Sequence, residues 1–289
     1  MRFLRSVAMA ALMLGCVAKA EERTNPPMRE LLVKAGEFSF ATQDTIESGY
    51  VRIRMENVGK EMHHLQLIRL ENGLTTEQVL EHARREVLVF PDLKFVGGPG
   101  VPGPSGASEV VLDLVPGKYL MVCYMTHQGV RHLLMGMTRE LTVIPALKPG
   151  ASAPMEDERM VLRSYSFEMD SVIKPGGHIF RVENQAEEPH EVDIARLPEG
   201  GSVAQIMSWL KQPKGPPPFE PVGGTMVLSK GEVAFAPANL KTGRYVLLCF
   251  VPDTRDGMPH IVHGMIREFS VREESALDWN KARQERGRR

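Results

Sequence analysis

Apolar and charged residues alternate in short runs along this chain. Tyr50-Val-Arg-Ile-Arg-Met and His178-Ile-Phe-Arg-Val repeat with a period near two, which predicts half-buried β-strands. Val110-Val-Leu-Asp-Leu is a further short strand, closed by Pro116-Gly117. Tyr119-Leu-Met-Val-Cys-Tyr and Tyr245-Val-Leu-Leu-Cys-Phe are unbroken apolar runs after glycine turns, so central, buried strands are expected there. Two segments carry helix signals instead. Thr75-x-x-Gln78 and Ser202-x-x-Gln205 are capping boxes, followed by Val79, Leu80 and Ala83 and by Ile206, Met207 and Leu210. Proline- and glycine-rich stretches follow each helix, at 97–106 and 213–221, and are expected as loops.

The pattern occurs twice. Asn57 stands six residues before His63, with Leu65, Leu67 and Arg69-Leu70 beyond it; Asn184 stands six before His190, with Val192, Ile194 and Arg196-Leu197 beyond it. Val96-Gly97-Gly98 matches Val222-Gly223-Gly224, and Gly97 and Gly223 each lie 26 residues before Cys123 and Cys249. His132, Gly136-Met137 and Arg139-Glu140 match His260, Gly264-Met265 and Arg267-Glu268. Three matches in one order at nearly one spacing indicate duplication. Copy one is expected over 28–145 and copy two over 155–272, joined by a linker at 146–154 and followed by a charged tail at 273–289. The expected class is all-β: two tandem Greek-key β-sandwiches, each with one short inserted helix.

The first twenty residues do not belong to this pattern. Arg2 and Arg5, an apolar stretch over 7–14 and Ala18-Lys19-Ala20 have the order of a secretory signal peptide cleaved after Ala20. Lipoprotein processing at Cys16 is the alternative. A periplasmic or secreted protein is therefore expected. No interior apolar run approaches the roughly 18 residues of a membrane helix. The net charge of −1 offers no broad attraction to nucleic acid. Maturation would leave Cys123 and Cys249, which occupy equivalent strands of the two copies and are expected as free thiols rather than a disulfide.

The Asn-preceded His, the Pro116-Gly117-x-Tyr119-x-x-x-Cys123 strand and His-x-x-x-Gly-Met before the last strand resemble the cupredoxins, the type 1 blue copper proteins. The resemblance covers both copies. It implies two cupredoxin-like sandwiches, at most one copper ion in each, and a redox protein as partner. The ligands it implies are His63, Cys123, His132 and Met137 in copy one and His190, Cys249, His260 and Met265 in copy two. Such a donor set, a thiolate with two imidazoles and a weak axial thioether, serves both copper oxidation states.

One departure bears on these sites. Familiar blue copper proteins have a short Cys-to-His loop, but here eight residues separate Cys123 from His132 and ten separate Cys249 from His260. His127 is then an alternative ligand in copy one, where copy two has Asp253. The larger supply of His and Met around Cys123 also ranks copy one above copy two as a copper site. The leading functional expectation is copper binding for electron transfer or copper handling. The alternative is a metal-free β-sandwich binding module with a vestigial site. A copper-dependent oxidoreductase is third: no His flanks either Cys, and the adjacent pair His63-His64 stands where an oxidase needs His-x-His.

Overall fold

The structure, a computed structural model, describes residues 26–90, 92–169, 172–212 and 214–273. The signal and Cys16 lie outside the described residues, as does the tail beyond Glu273. Copy one contributes β1 (Arg29–Gly36), β2 (Ser39–Ala41), β3 (Thr45–Glu47), β4 (Gly49–Asn57), β5 (Gln66–Leu70), α1 (Thr76–Arg84), β6 (Lys94–Gly97), β7 (Ala107–Leu114), β8 (Gly117–Val122), β9 (Thr126–His127), β10 (Val130–Arg131) and β11 (Thr138–Ile144). Copy two contributes β12 (Glu158–Arg163), β13 (Ser166–Glu168), β14 (Val172–Ile173), β15 (Gly176–Asn184), β16 (His190–Arg196), α2 (Val203–Lys211), β17 (Glu220–Leu228), β18 (Val233–Leu240), β19 (Gly243–Leu248) and β20 (Ile266–Val271).

Both capping boxes form, with Thr75 and Ser202 as N-caps. The strands alternate as their sequences require: Val51, Ile53 and Met55 point inward and are fully buried, while Arg52 and Arg54 stay outside. Tyr119 and Tyr245 anchor the central strands, and each hydroxyl donates to a carbonyl four residues upstream, of Val115 and Lys241, at 2.8 Å. This is the tyrosine corner of Greek-key sandwiches. One expected loop differs. The stretch 213–221 already enters β17 at Glu220, because Pro221 and the following glycines pair with β16.

Each copy supplies its own two sheets, and no strand is exchanged. In copy one the order is β2-β1-β4-β7 against β3-β11-β8-β5-β6; in copy two it is β13-β12-β15-β18 against β14-β20-β19-β16-β17. The first strand runs parallel to its neighbour in both, β1 with β4 and β12 with β15. The two sandwiches then join edge to edge. β7 pairs antiparallel with its equivalent β18, and β6 with its equivalent β17. The seam is also stitched by Met226 N–H to Gly98 O at 2.9 Å, Ser229 N–H to Phe95 O at 2.8 Å and Gln66 Nε2 to Val227 O at 3.1 Å. Edge strands left open would recruit other chains; here each copy closes an edge of the other. The apolar core is accordingly continuous across the seam, from Leu31 and Phe40 in copy one to Phe180 and Phe269 in copy two.

The Gly-Gly pairs have a steric reason. A Cβ on Gly98 would fall inside the van der Waals radius of Leu65 O, and one on Gly224 inside that of Val192 O. Gly224 also has φ +123°, a region that side chains avoid. Leu65 and Val192 each stand two residues after the first His of their copy, so this close approach fixes the strand that follows the candidate ligand. Gly224→Ala is expected to lower the unfolding free energy by about 2 kcal/mol or more. Urea denaturation of the metal-free protein measures this, and an unchanged midpoint would show that the approach is not tight.

Candidate metal centre

Each site is assembled at one end of its sandwich by the same backbone devices. Asn57, at the end of β4, donates from Nδ2 to Glu61 O at 2.7 Å and accepts at Oδ1 from Gly59 N–H at 3.0 Å. Asn184 does the same with Glu188 O at 2.9 Å and Ala186 N–H at 2.9 Å. Both amides are buried. They clamp the turn that delivers His63 or His190, which explains the six-residue spacing. Cys123 and Cys249 follow directly on β8 and β19. His132 and His260 open short 3₁₀ turns, closed by Gly136 at φ 104° and Gly264 at φ 97°. The amides of Met137 and Met265 then return to the carbonyls of His132 and His260, at 2.9 and 3.0 Å.

The long loops do not separate the Cys from the His. In copy one the additional residues leave as a small hairpin, β9 paired with β10 around Gln128 and Gly129, both with positive φ. In copy two Pro252 bridges to Pro259 across a turn. The loop ends are thereby pinched together. Leu133 N–H reaches Cys123 O and Ile261 N–H reaches Cys249 O, each at 2.9 Å.

The result is a triangle of donors in each copy. His63 Nδ1 and His132 Nδ1 are 3.2 Å apart, and His132 Nδ1 lies 3.5 Å from Cys123 Sγ. In copy two His190 Nδ1 and His260 Nδ1 are 2.9 Å apart, with Cys249 Sγ at 4.0 and 3.6 Å. A trigonal metal with bonds of about 2.0–2.3 Å needs donor separations of about 3.5–3.8 Å, so small outward shifts of the two imidazoles would admit an ion. All six groups are almost wholly buried. Met137 and Met265 are buried as well.

Burial sets the charge of these groups. It is the largest influence lowering His63, His132 and His260, and His190 falls to about 4, with the facing His260 adding to the effect. The imidazoles are therefore neutral at pH 7. Burial also pushes the Cys123 thiol up to about 11 and Cys249 well above its ordinary value. Against this, backbone N–H groups point at each sulfur, including His64 N–H at 3.5 Å from Cys123 Sγ. Metal binding must displace a proton from each thiol. Neither cysteine is in a disulfide.

His127 is not brought into the triangle. Its Nδ1 lies 2.5 Å from Glu61 Oε1, on the emergent hairpin. Asp253 is similarly occupied, by Arg255 Nε at 3.0 Å and the Tyr165 hydroxyl at 2.5 Å. Of the residues that distinguish the copies in sequence, His127 and Asp253 are thus engaged outside the triangles.

Several surrounding residues were missed. Glu61 Oε2 approaches His132 Nε2 at 3.2 Å, the kind of carboxylate that orients a ligating imidazole. That approach is an ion-pair contact, since His132 Nε2, like His63 Nε2 and His190 Nε2, is buried without a hydrogen bond among the described residues. His64 Nε2 accepts from Tyr124 N–H at 2.6 Å, and its counterpart Glu191 Oε1 accepts from Phe250 N–H at 2.9 Å. Phe38 and Tyr165 stand edge-on to His132 and His260, with ring centroids at 5.0 and 5.1 Å. Both sit at φ 55°, a strained conformation for an aromatic residue. The repeated triplets Phe38-Ser39-Phe40 and Tyr165-Ser166-Phe167 were the available signal.

No protein-family model matches the sequence, and no curated protein matches it. Solved structures do resemble it. Auracyanin B is 23% identical over 42% of this chain and 93% of its own, with a TM-score of 0.31. A dithionite-reduced auracyanin from the photosynthetic bacterium Roseiflexus castenholzii is 19% identical over 42% and 99%, also at 0.31. A multicopper oxidase is 14% identical over 84% and 89%, at 0.26. The strands and their pairing by themselves bear out the all-β class expected from the sequence.

The neutral imidazoles have a consequence for the metal-free protein. An unfolded His takes up a proton near pH 6.5, whereas folded His190 resists until about pH 4. Stability is therefore lost as pH falls through this window, by on the order of 2 kcal/mol from His190 alone. Urea midpoints between pH 7 and 4 should show a shallower decline in His190→Gln than in the unaltered protein. Equal slopes would mean that His190 is not held neutral.

Proposed function

We propose that the protein binds one copper ion in each copy, each copy being a domain, over 28–145 and 155–272. The ligands are Cys123, His63 and His132 in one and Cys249, His190 and His260 in the other, with Met137 and Met265 as weak axial donors. The observation that carries this reading is the convergence of Sγ and two Nδ1 atoms, buried, in both copies. Soft sulfur with two neutral imidazoles in a three-donor arrangement suits copper better than oxygen-seeking cations. Copper held there would supply a reversible one-electron couple.

The chain's own residues supply the rest. The Asn clamps and the 3₁₀ turns hold the donors in place, so little rearrangement accompanies a change of charge. Phe38 and Tyr165 keep water from the outer imidazoles. This rigidity favours electron transfer to a redox protein partner over delivery of copper. Catalysis is not part of the proposal.

Copper titration tests the reading. The unaltered protein should take up two equivalents with intense visible absorption, and Cys123→Ser and Cys249→Ser should each lose one equivalent and its share of the band. Full uptake by both variants would place the copper away from the cysteines and overturn the ligand assignment, and none by the unaltered protein would leave a metal-free binding module instead.

Export completes the proposal, supported by the basic-apolar-AxA order of residues 1–20. Mass spectrometry of the exported protein should find Glu21 at the N-terminus; a lipid-modified Cys16 would contradict cleavage after Ala20.

A further inference from the structure

Beneath the seam lies a cavity of about 350 Å³, bounded by both copies. Its walls include the aromatic rings of Phe95, Tyr124, Phe219 and Phe250 and the carboxylates of Glu191 and Asp193. It shares Met62, Val101, Phe219 and Pro221 with a wider cleft of about 930 Å³, which gives an approach from outside. Neither space holds any of the six triangle residues.

The repeat makes the acidic wall conspicuous. Glu191 and Asp193 are two apart on β16 and so share a face of the sheet. Their equivalents in copy one are His64 and Gln66, both neutral. Gln66 donates its amide to the carbonyls of Leu67, Gly97 and Val227. Asp193 makes no hydrogen bond or ion pair among the described residues. Burial alone raises its carboxyl above the ordinary range. Glu191 is 7% exposed, and one of its oxygens accepts from Phe250 N–H. The cations nearby do not neutralise the pair. Arg131 is engaged by Glu86 at 2.9 Å and by Tyr124 O at 3.3 Å, and burial lowers His64 to about 3.

Glu191, buried, and Asp193, partly exposed, thus border an aromatic-lined cavity with no cation paired to either carboxyl among the described residues, and an ammonium entering it would supply the missing positive charge. The volume is far larger than a metal ion needs, and the ring faces suit an organic body and attract a cation. We propose that this cavity binds a compact aromatic amine, its ammonium on Asp193 and Glu191 and its ring among Phe95, Tyr124, Phe219 and Phe250. The site is independent of the copper reading, since it uses no metal ligand.

The probes are phenethylamine and its neutral analogue 2-phenylethanol, titrated calorimetrically into the metal-free protein so that amine coordination to copper does not intervene. The amine should bind at least about tenfold more tightly than the alcohol, as a charge-assisted hydrogen bond requires. Asp193→Asn, which keeps the side-chain shape, should abolish that preference. Equal or tighter binding of the alcohol, binding of neither probe, or a preference that survives in a folded Asp193→Asn would each overturn the proposal. Should Asp193→Asn not fold, the amine-against-alcohol comparison in the unaltered protein decides alone.

Discussion

A thiol and two imidazoles packed together without water are unfavourable unless the surroundings hold them there. That constraint organises each half of this molecule. The sulfur and nitrogen atoms of each triangle lie within 4.8 Å of one another, in a region where burial opposes charge on all of them. Rigid backbone devices keep the groups together: the Asn57 and Asn184 clamps, the glycine-assisted strand contact, and the 3₁₀ turns closed by Gly136 and Gly264. The sandwich acts as the frame that makes these devices rigid.

Duplication changes what that frame can do. Joining β6 to β17 and β7 to β18 removes two exposed edges per copy and encloses space that neither copy has alone. The two ends keep the same donor triangle while their surroundings diverge. Copy one has Glu61 beside His132 and an extruded hairpin; copy two has the Tyr165, Asp253 and Arg255 cluster. Equivalent positions that no longer match, His64 against Glu191 and Gln66 against Asp193, lie along the seam. Divergence is thus found around the triangles and along the seam, while the six donor residues themselves are repeated.

Much of this was legible because it is local. Capping boxes, alternating strands and the spacing of Asn, His, Cys and Gly-Met all report on neighbours in the chain. Even the convergence of these donors could be anticipated, since the repeat supplied each of them twice. What could not be read depends on contacts between distant segments. The eight- and ten-residue loops looked too long to keep Cys and His together, because nothing local shows that β9 and β10 fold outward and pinch the ends. His127, the alternative ligand in the sequence, lies against Glu61, 66 residues away, a contact that nothing local announces. The Gly-Gly pairs were visible as repeat markers, but their reason lies in Leu65 and Val192 on another strand. The seam itself left no sequence signal, since an edge strand reads the same whether it is open or paired.

The most direct measurement is a crystal structure of the copper-loaded protein with anomalous diffraction at the copper edge. Two peaks are expected, one bonded to Cys123 Sγ and the Nδ1 atoms of His63 and His132, the other to Cys249 Sγ and those of His190 and His260, with the backbone around them unmoved. Copper found instead at His127 with Glu61, or among Asp253, Asp256 and His263, with both triangles empty, would contradict the account.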